Sequence, residues 1–139
     1  MVDKDQVARI GVSLPPMLLE DFDAFIETKG YETRSKAIAD LMRNAMMQEE
    51  WNQGNPETIG AVTYVYDHHT RGLSDRLTRI QHDHHDKIIS STHIHIDHAR
   101  CMEIVIIRGF VNEIRSLGDK ILSTRGVLSG NLVFSAIGE

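Results

Sequence analysis

The chain has 139 residues, which is enough for one ordinary domain or two very small ones. Its content of 41% hydrophobic and 25% charged residues is that of a globular protein and excludes a disordered one. The formal net charge of -5 argues against a chain that binds nucleic acid over its whole surface, although a dimer can still present a local basic patch.

The sequence also indicates the cellular compartment of the protein and a segment of unusual composition. No apolar run approaches the ~20 residues that span a bilayer, and the N-terminal MVDKDQVARI lacks the apolar core of a secretion signal. Cys101 is the one cysteine, so no intrachain disulfide is possible and we expect a reducing, cytoplasmic setting. All eight histidines lie between His68 and His98, and this concentration suggests that the segment has a specific chemical role.

The first predicted element is a short strand at residues 8–14 (ARIGVSL), in which apolar residues alternate with others. Pro15 and Pro16 end it and favour the start of a helix, which we expect to run to Gly30. A second helix is predicted at about residues 35–51, with an apolar stripe formed by Ile38, Leu41, Met42 and Ala45.

A lone strand followed by two helices leaves the backbone groups of the strand unpaired. The economical solution is a dimer in which two copies of the strand pair antiparallel. Arg9 and Ser13 would then project from a two-stranded ribbon that fits the DNA major groove. This arrangement resembles a ribbon-helix-helix repressor domain, but an edge strand of another fold explains the segment equally well.

The polar residues 52–57 (NQGNPE) predict a linker between a domain at residues 1–51 and a second domain at residues 58–139. In the second domain we expect strands at 58–66, 87–96, 101–108 and 127–137, and helices at 73–84 and 110–123. This β-α-β-β-α-β order predicts a ferredoxin-like, ACT-like regulatory domain, so the fold class expected for the whole chain is α+β.

The segment THIHIDHARC carries the strongest chemical signal. His93 and His95 are two apart on a predicted strand, so their imidazoles leave the same face, and we expect Ile94 and Ile96 to enter the core from the other. Cys101 follows a short turn and can lie beside both histidines. Two imidazoles and a thiolate suit a borderline or soft transition metal better than Mg²⁺ or Ca²⁺.

A second histidine cluster, QHDHHD at residues 81–86, ends the predicted helix before that hairpin. His82 and His85 are three apart and share a helical face, whereas His84 points elsewhere. Histidines at a helix C-terminus are also favoured by the helix dipole, so some of them could act only as a cap. The cluster is able to supply the fourth ligand that the hairpin lacks.

The residues from Gln81 and His82 through Cys101 resemble the nickel site of the nickel-responsive regulator (NikR) family. The order of elements also resembles that family over nearly the whole chain. The resemblance implies a homotetramer with one square-planar Ni(II) per subunit, held by His93, His95 and Cys101 of one subunit and His82 of a neighbour. It further implies that Tyr66, Gln81 and Glu103 are hydrogen-bonding partners of the ligands.

The same resemblance implies where double-stranded operator DNA is bound. Arg9, Gly11 and Ser13 would occupy the base-reading positions of the ribbon. The amides around Thr33, Arg34 and Ser35, at the start of the second helix, would hold a phosphate.

This sequence departs from the family pattern at two positions. Gly11 stands where a polar side chain is common, so this ribbon has fewer base-reading groups and its operator should differ. Lys36 stands where a carboxylate often helps to bind a potassium ion. Its ammonium could replace that ion by pairing with Asp40, one helical turn away.

The expected function is a nickel-dependent transcriptional repressor and not an enzyme. Metal can raise DNA affinity only by the amount that it prefers the binding-competent arrangement. His68, His69 and Arg71 precede the histidine-bearing helix, and ordering them could add phosphate contacts. His68, His69, His84, His85 and His98 are further candidates for weak metal binding, without an assigned role.

Three alternatives remain at this point. One is a ribbon-helix-helix regulator that responds to another metal or to a small ligand, since Cu(II) should outcompete Ni(II) at most nitrogen–sulfur sites. Another is a metal-dependent hydrolase built on HDHHD, although catalytic zinc keeps an open position and four ligands are available here. The third is an antitoxin with an incidental histidine-rich tail, which would leave the second domain without a role.

Overall fold

The computed structural model describes residues 6–137 and has the α+β class predicted from the sequence. The helices are α1 (Pro16–Thr28), α2 (Arg34–Gln53), α3 (Leu73–Asp83) and α4 (Val111–Leu122). The strands are β1 (Glu57–Asp67), β2 (Ile88–His95), β3 (Arg100–Phe110) and β4 (Val127–Ser135). The chain divides into two compact units between Met46 and Met47, within α2.

The N-terminal unit contains α1 and the first part of α2. Proline at the first position of α1 starts this helix, and Gly30, with φ of +82°, ends it. The amide of Gly30 bonds to Glu27 and the amide of Tyr31 to Ile26, a pattern in which glycine accepts the left-handed conformation without strain. The predicted helices are therefore present, with small differences at their ends.

The strand predicted at residues 8–14 is not formed within the described chain. Residues 6–15 are all exposed and take no part in a sheet. A ribbon needs a second copy to supply its other strand, so a single chain does not display it. Residues 52 and 53, expected in the linker, instead continue α2, and the connection to β1 is only residues 54–56.

The second unit is a four-stranded antiparallel sheet in the order β2-β3-β1-β4. This is the strand order of the split β-α-β pattern expected from the sequence. Alternate residues of the two central strands are buried against α3 and α4, as the period of a strand requires. Gly60 permits the close approach of α4, since a Cβ there would lie 2.7 Å from Ile114 Cγ2.

The core lies between one face of the sheet and the two helices. Its largest fully buried side chains include Tyr64, Leu73, Leu77, Ile107, Ile114, Leu117 and Ile121. Leu73 and Leu77 fix α3 to this core and so place the end of α3 near β2 and β3. The other face of the sheet is covered by neither α3 nor α4.

The position predicted for Ile94 and Ile96 was wrong. These side chains are 41% and 49% exposed and do not enter the core. Ile94 does leave β2 on the side opposite His93 and His95, as the alternation requires, and Ile96 lies just beyond the end of the strand. The helices pack on the histidine-bearing face of the sheet instead, and Ile94 lies on the uncovered face.

Candidate metal centre

The β2–β3 hairpin places the predicted ligands opposite one another. In its register His95 pairs with Cys101 and His93 with Glu103, so all four side chains share the face that carries the helices. The turn is closed by Asp97, whose Oδ1 accepts hydrogen bonds from the amides of Ala99 and Arg100 at 3.1 and 2.8 Å. Cys101 Sγ consequently lies 3.4 Å from His95 Nδ1.

His68 is the third member of this cluster. It follows β1, in which Tyr66 pairs with Cys101 across the sheet, and its amide donates to the Ala99 carbonyl at 2.9 Å. Its Nδ1 lies 3.3 Å from Cys101 Sγ. The possible ligand atoms of His68, His95 and Cys101 all lie within 4.8 Å of one another. We refer to these three residues as the intrachain triad.

His93 lies beside the triad without joining it. The centroid of its ring is 5.0 Å from that of His95. Its Nδ1 is turned toward the Tyr66 hydroxyl, at 3.4 Å, and toward the Glu103 carboxylate, at 3.7 Å. The structure thus brings three of the four predicted ligands into one region, with the ring of His93 held by its own polar partners.

His82 is placed differently. It is exposed at the end of α3, where its ring stacks on that of His85 with centroids 6.0 Å apart. Within residues 6–137 it is not part of the group that surrounds Cys101. His84 Nδ1 bonds to the carbonyl of Ile80 at 2.9 Å and so contributes to the end of the helix.

A hydrogen-bond network around Glu103 connects α3 to the hairpin. Gln81 Nε2 donates to Glu103 Oε1 at 2.7 Å and to the Tyr64 hydroxyl at 3.0 Å. The Ser91 hydroxyl donates to the same carboxylate oxygen at 2.8 Å. Because Glu103 is buried, these charge-assisted bonds are worth more than they would be in water. They fix Gln81, and with it the last turn of α3.

Sequence reasoning gave no role to Tyr64 or Ser91, and it left His68 without an assigned role. One signal was available for His68 and Tyr64. Both lie two positions from Tyr66, so both continue the same face of the strand. For Ser91 the signal is weaker, because an exposed serine on an edge strand is common and only the register reveals its partner.

Burial governs the protonation of the groups around the cluster. It raises the pKa of the Cys101 thiol, and the nearby carboxylates of Asp97 and Glu103 raise it further. Burial and the charge of Glu103 likewise raise the pKa of both Tyr64 and Tyr66. The tyrosines are therefore neutral hydrogen-bonding groups at physiological pH, and the thiol carries its proton until a metal displaces it.

The donor set fits a transition metal. A buried sulfur with two imidazole nitrogens beside it is the combination that borderline metals such as nickel and zinc bind, whereas magnesium and calcium prefer oxygen. A buried carboxylate next to His93 is the kind of outer partner that orients a ligand imidazole.

The residues predicted to bind DNA lie in the N-terminal unit. Arg9, Gly11 and Ser13 are exposed. The Thr33 hydroxyl accepts a hydrogen bond from the Lys36 amide at 3.2 Å and caps α2. Arg34 forms a two-pronged ion pair with Asp23 at 2.8 and 2.7 Å, so its side chain stabilises the helix pair. Ser35 occupies the first turn of α2 and is exposed.

The Lys36–Asp40 pair expected from the sequence is present. Lys36 Nζ lies 2.6 Å from Asp40 Oδ1, and the same carboxylate accepts a bond from the Tyr31 hydroxyl at 2.9 Å. These hydrogen bonds, that of Lys36 first, lower the pKa of Asp40. An ammonium therefore lies beside a carboxylate at the position where the family resemblance implied a potassium ion.

Comparison with known proteins decides the family. A family model described as the NikR C-terminal nickel-binding domain matches residues 59–135, more than half of the chain. The chain belongs to the NikR family. A protein from Geobacter sulfurreducens, described as a nickel-responsive regulator, is 48% identical over 134 residues, or 96% of each chain. A relative from Nitratidesulfovibrio vulgaris with the same description is 47% identical over 131 residues, or 94% of each chain.

NikR proteins are nickel-responsive regulators and not enzymes, which removes the hydrolase alternative. A solved structure of an uncharacterized protein from Thermotoga maritima covers 60% of this chain and all of that chain. Its TM-score of 0.49 and identity of 10% are too low to support a functional argument. No helix among residues 6–137 is long and apolar enough to cross a membrane.

Proposed function

We propose that this NikR-family protein is a nickel-dependent transcriptional repressor of the cytoplasm. Ni(II) binding to the second unit promotes sequence-specific binding of operator DNA by the N-terminal unit. The observation that carries the proposal is the cluster of a buried thiol and imidazoles on the β2–β3 hairpin, joined to α3 through Glu103. A regulator in which metal controls DNA binding needs such a physical link between its ligands and a movable element.

The ligands we propose are His93, His95 and Cys101 of one subunit and His82 of a neighbour, with one Ni(II) per subunit. His93 and His95 are adjacent on one face of β2, and Cys101 lies opposite. His82 is exposed on α3 and available to a second chain. Tyr66 and Glu103, which lie beside His93 Nδ1, are the hydrogen-bonding partners that we propose orient its ring.

A homotetramer accounts for the apolar surface of both units. In the N-terminal unit the predicted apolar stripe of α2 is exposed at Ile38, Leu41 and Met42, and the exposed residues 8–14, which we predict to form the ribbon in a dimer, precede it. In the second unit the uncovered sheet face carries exposed Ile94 and Val133. Two separate apolar surfaces of this kind favour two separate contacts between copies, which is the arrangement of a dimer of dimers.

For the DNA contacts we propose Arg9, Gly11 and Ser13 in the ribbon and the backbone amides near Thr33, Arg34 and Ser35 at the start of α2. The exposed position of the ribbon residues supports this assignment. The net charge of -5 makes tight binding without metal unfavourable, so DNA affinity should depend on how the metal fixes the arrangement of the subunits.

The test is a titration of the metal-free protein with Ni(II) under anaerobic conditions, followed by absorption. We expect a thiolate-to-nickel charge-transfer band that saturates at one metal per chain and changes in His82→Ala. The matched control is His85→Ala, because His85 is exposed just beyond the end of α3 and its ring stacks on that of His82. An identical response of both variants would reject His82 as a ligand.

The second half of the test measures DNA binding. Duplexes selected from a random pool in the presence of Ni(II) should be bound tightly with the metal and weakly after chelation. His82→Ala should bind them weakly under both conditions, while His85→Ala behaves as wild type. Selected duplexes that are bound equally well with and without nickel would contradict a nickel-dependent repressor.

A further inference from the structure

The short connection between α2 and β1 caps the start of α4. The first amides of a helix have no partner inside the helix, and Val111 and Asn112 are the first two residues of α4. The amide of Val111 donates to the Pro56 carbonyl at 3.1 Å, and the amide of Asn112 donates to Asn55 Oδ1 at 2.8 Å. Because the side chain of Phe110, which precedes the helix, carries no acceptor, residues 55 and 56 supply the cap.

The last turn of α2 is attached to the second unit through Trp51, which is the one tryptophan of the chain. The ring centroids of Trp51 and Phe134 lie 5.4 Å apart, and their planes are inclined by 42°. Phe134 packs against the core of the unit, and Arg115 Cζ lies 5.1 Å from the centroid of its ring. Aromatic pairs and cation–π contacts both stabilise beyond the apolar area that they bury. The half-buried Trp51 ring is therefore held from the core side.

The two attachments meet in one groove at the start of α4, whose lining residues include Trp51, Asn55, Val111 and Arg115. Between the attachments the amide of Gly54 bonds to the Glu50 carbonyl at 2.7 Å and ends α2. A Cβ at Gly54 would lie 2.9 Å from that carbonyl oxygen, so glycine permits the close turn out of the helix. We refer to Trp51, Asn55 and Pro56, with their partners on α4 and β4, as the clasp.

The clasp is anchored in the core that also carries α3. Leu117 of α4 and Leu77 of α3 belong to one buried cluster, and Phe134 packs against that cluster. The helix that ends at His82 and the helix that receives the connection are thus parts of the same packed body. Contiguity of this kind permits energetic coupling, and a variant that changes the coupling demonstrates it.

We propose that the clasp holds the end of α2 on the second unit, and that this attachment allows bound nickel to raise the DNA affinity of the N-terminal unit. The second part rests on the proposed function, whereas the attachment does not. If residues 54–56 were a free tether, ordering the N-terminal unit on DNA would cost the same conformational entropy with or without metal. A fixed end of α2 removes that freedom at the connection. An arrangement of subunits favoured by nickel then also favours one placement of their N-terminal units.

The first measurement is the time-resolved fluorescence anisotropy of Trp51 in the full-length, metal-free protein. Since Trp51 is the one tryptophan, the signal has a single source. We expect it to decay with the tumbling of the folded protein, whereas Phe134→Leu should add the fast, nanosecond component of a mobile segment. The matched control is Asn52→Ala, because Asn52 is exposed in the same turn of α2, and it should behave as wild type.

The second measurement is the gain in affinity for selected duplexes when Ni(II) is added. Trp51→Ala should lower this gain at least about fivefold, the lower end of common coupling strengths. Its Ni(II) affinity without DNA should stay within about twofold of wild type, because the clasp and the proposed ligands share no partner. Trp51→Phe, which keeps an aromatic ring against Phe134, should retain most of the gain, and Asn52→Ala all of it.

A large nanosecond component in the wild type would overturn the attachment, as would Phe134→Leu with wild-type anisotropy. An undiminished gain in Trp51→Ala would overturn the coupling. Equal losses of Ni(II) affinity and of the gain would also overturn it, since they would show a general structural role. If Trp51 is rigid while wild-type DNA binding is independent of nickel, the attachment stands, and the proposed function fails together with the coupling built on it.

Discussion

Replacing Glu103 by glutamine removes the negative charge at the centre of the network that joins β2, β3 and α3, while the size of the side chain is kept. The carboxylate accepts bonds from Gln81 at 2.7 Å and Ser91 at 2.8 Å and lies 3.7 Å from His93 Nδ1. A carboxamide oxygen can accept the same bonds, but without the assistance of a full charge.

The expected cost follows from these contacts. A hydrogen bond to a charged group contributes about 1.5–3 kcal/mol and a neutral one about 0.5–1.5 kcal/mol, so each of the two bonds loses about 1 kcal/mol. We therefore expect Glu103→Gln to lower the free energy of unfolding by about 2 kcal/mol. If His93 is a ligand as proposed, loss of its outer partner should also weaken Ni(II) binding about 10- to 100-fold.

Urea unfolding of the metal-free protein measures the first effect, and competition with a chelator of known nickel affinity measures the second. Glu113→Gln is the matched control. Glu113 accepts a bond from the Phe110 amide at 3.1 Å and pairs with Lys87 at 2.5 Å, outside the histidine clusters. Glu103→Gln with wild-type nickel affinity would refute the reasoning, as would equal loss of nickel affinity in both variants.

Three further outcomes are expected. Leu77→Ala, which opens a cavity beneath α3, should destabilise the metal-free protein by about 2–5 kcal/mol in urea unfolding, and a loss below 1 kcal/mol would contradict the burial of Leu77. Burial raises the pKa of Cys101, so metal binding should release the thiol proton. Nickel affinity should then rise about tenfold per pH unit until the pH passes that pKa, and an affinity independent of pH would exclude a protonated resting thiol. Because the Lys36 ammonium already contacts Asp40 at 2.6 Å, DNA binding should be equal in K⁺ and Na⁺, and a specific need for K⁺ would refute the replacement of a potassium ion by Lys36.

The sequence predicted the fold of the second unit well because its signals are local. The alternation of apolar residues and the short DHAR turn placed β2 and β3, and the same alternation put His93 and His95 on one face. It could not show which face the helices cover, and the expectation for Ile94 and Ile96 failed for this reason. Periodicity separates two faces of a strand, and packing alone decides which of them is buried.

The residues that form the candidate metal centre were harder to predict than the segment in which it lies. His68 is 33 residues from Cys101, and the two meet only because Tyr66 pairs with Cys101 in the register of β1 and β3. The register between two strands so far apart in sequence cannot be predicted from any short segment alone. The ribbon strand at residues 8–14 has the same limitation in another form, because its partner belongs to a second chain, and the ribbon therefore stays a prediction.

The adjacency of Gln81 and His82 explains how one helix can serve two subunits. Successive residues of an α-helix point about 100° apart, so the two side chains leave α3 in different directions. Gln81 turns inward and is fixed by Glu103 of its own chain, whereas His82 is exposed. Any change at Glu103 that loosens Gln81 therefore also alters the direction in which His82 is presented. If His82 is a ligand for a neighbour, nickel binding in one subunit restricts the motion of Glu103 and Gln81 there. The His82 that this subunit presents to its neighbour is then held in a fixed direction, and such a tetramer should bind nickel with positive cooperativity.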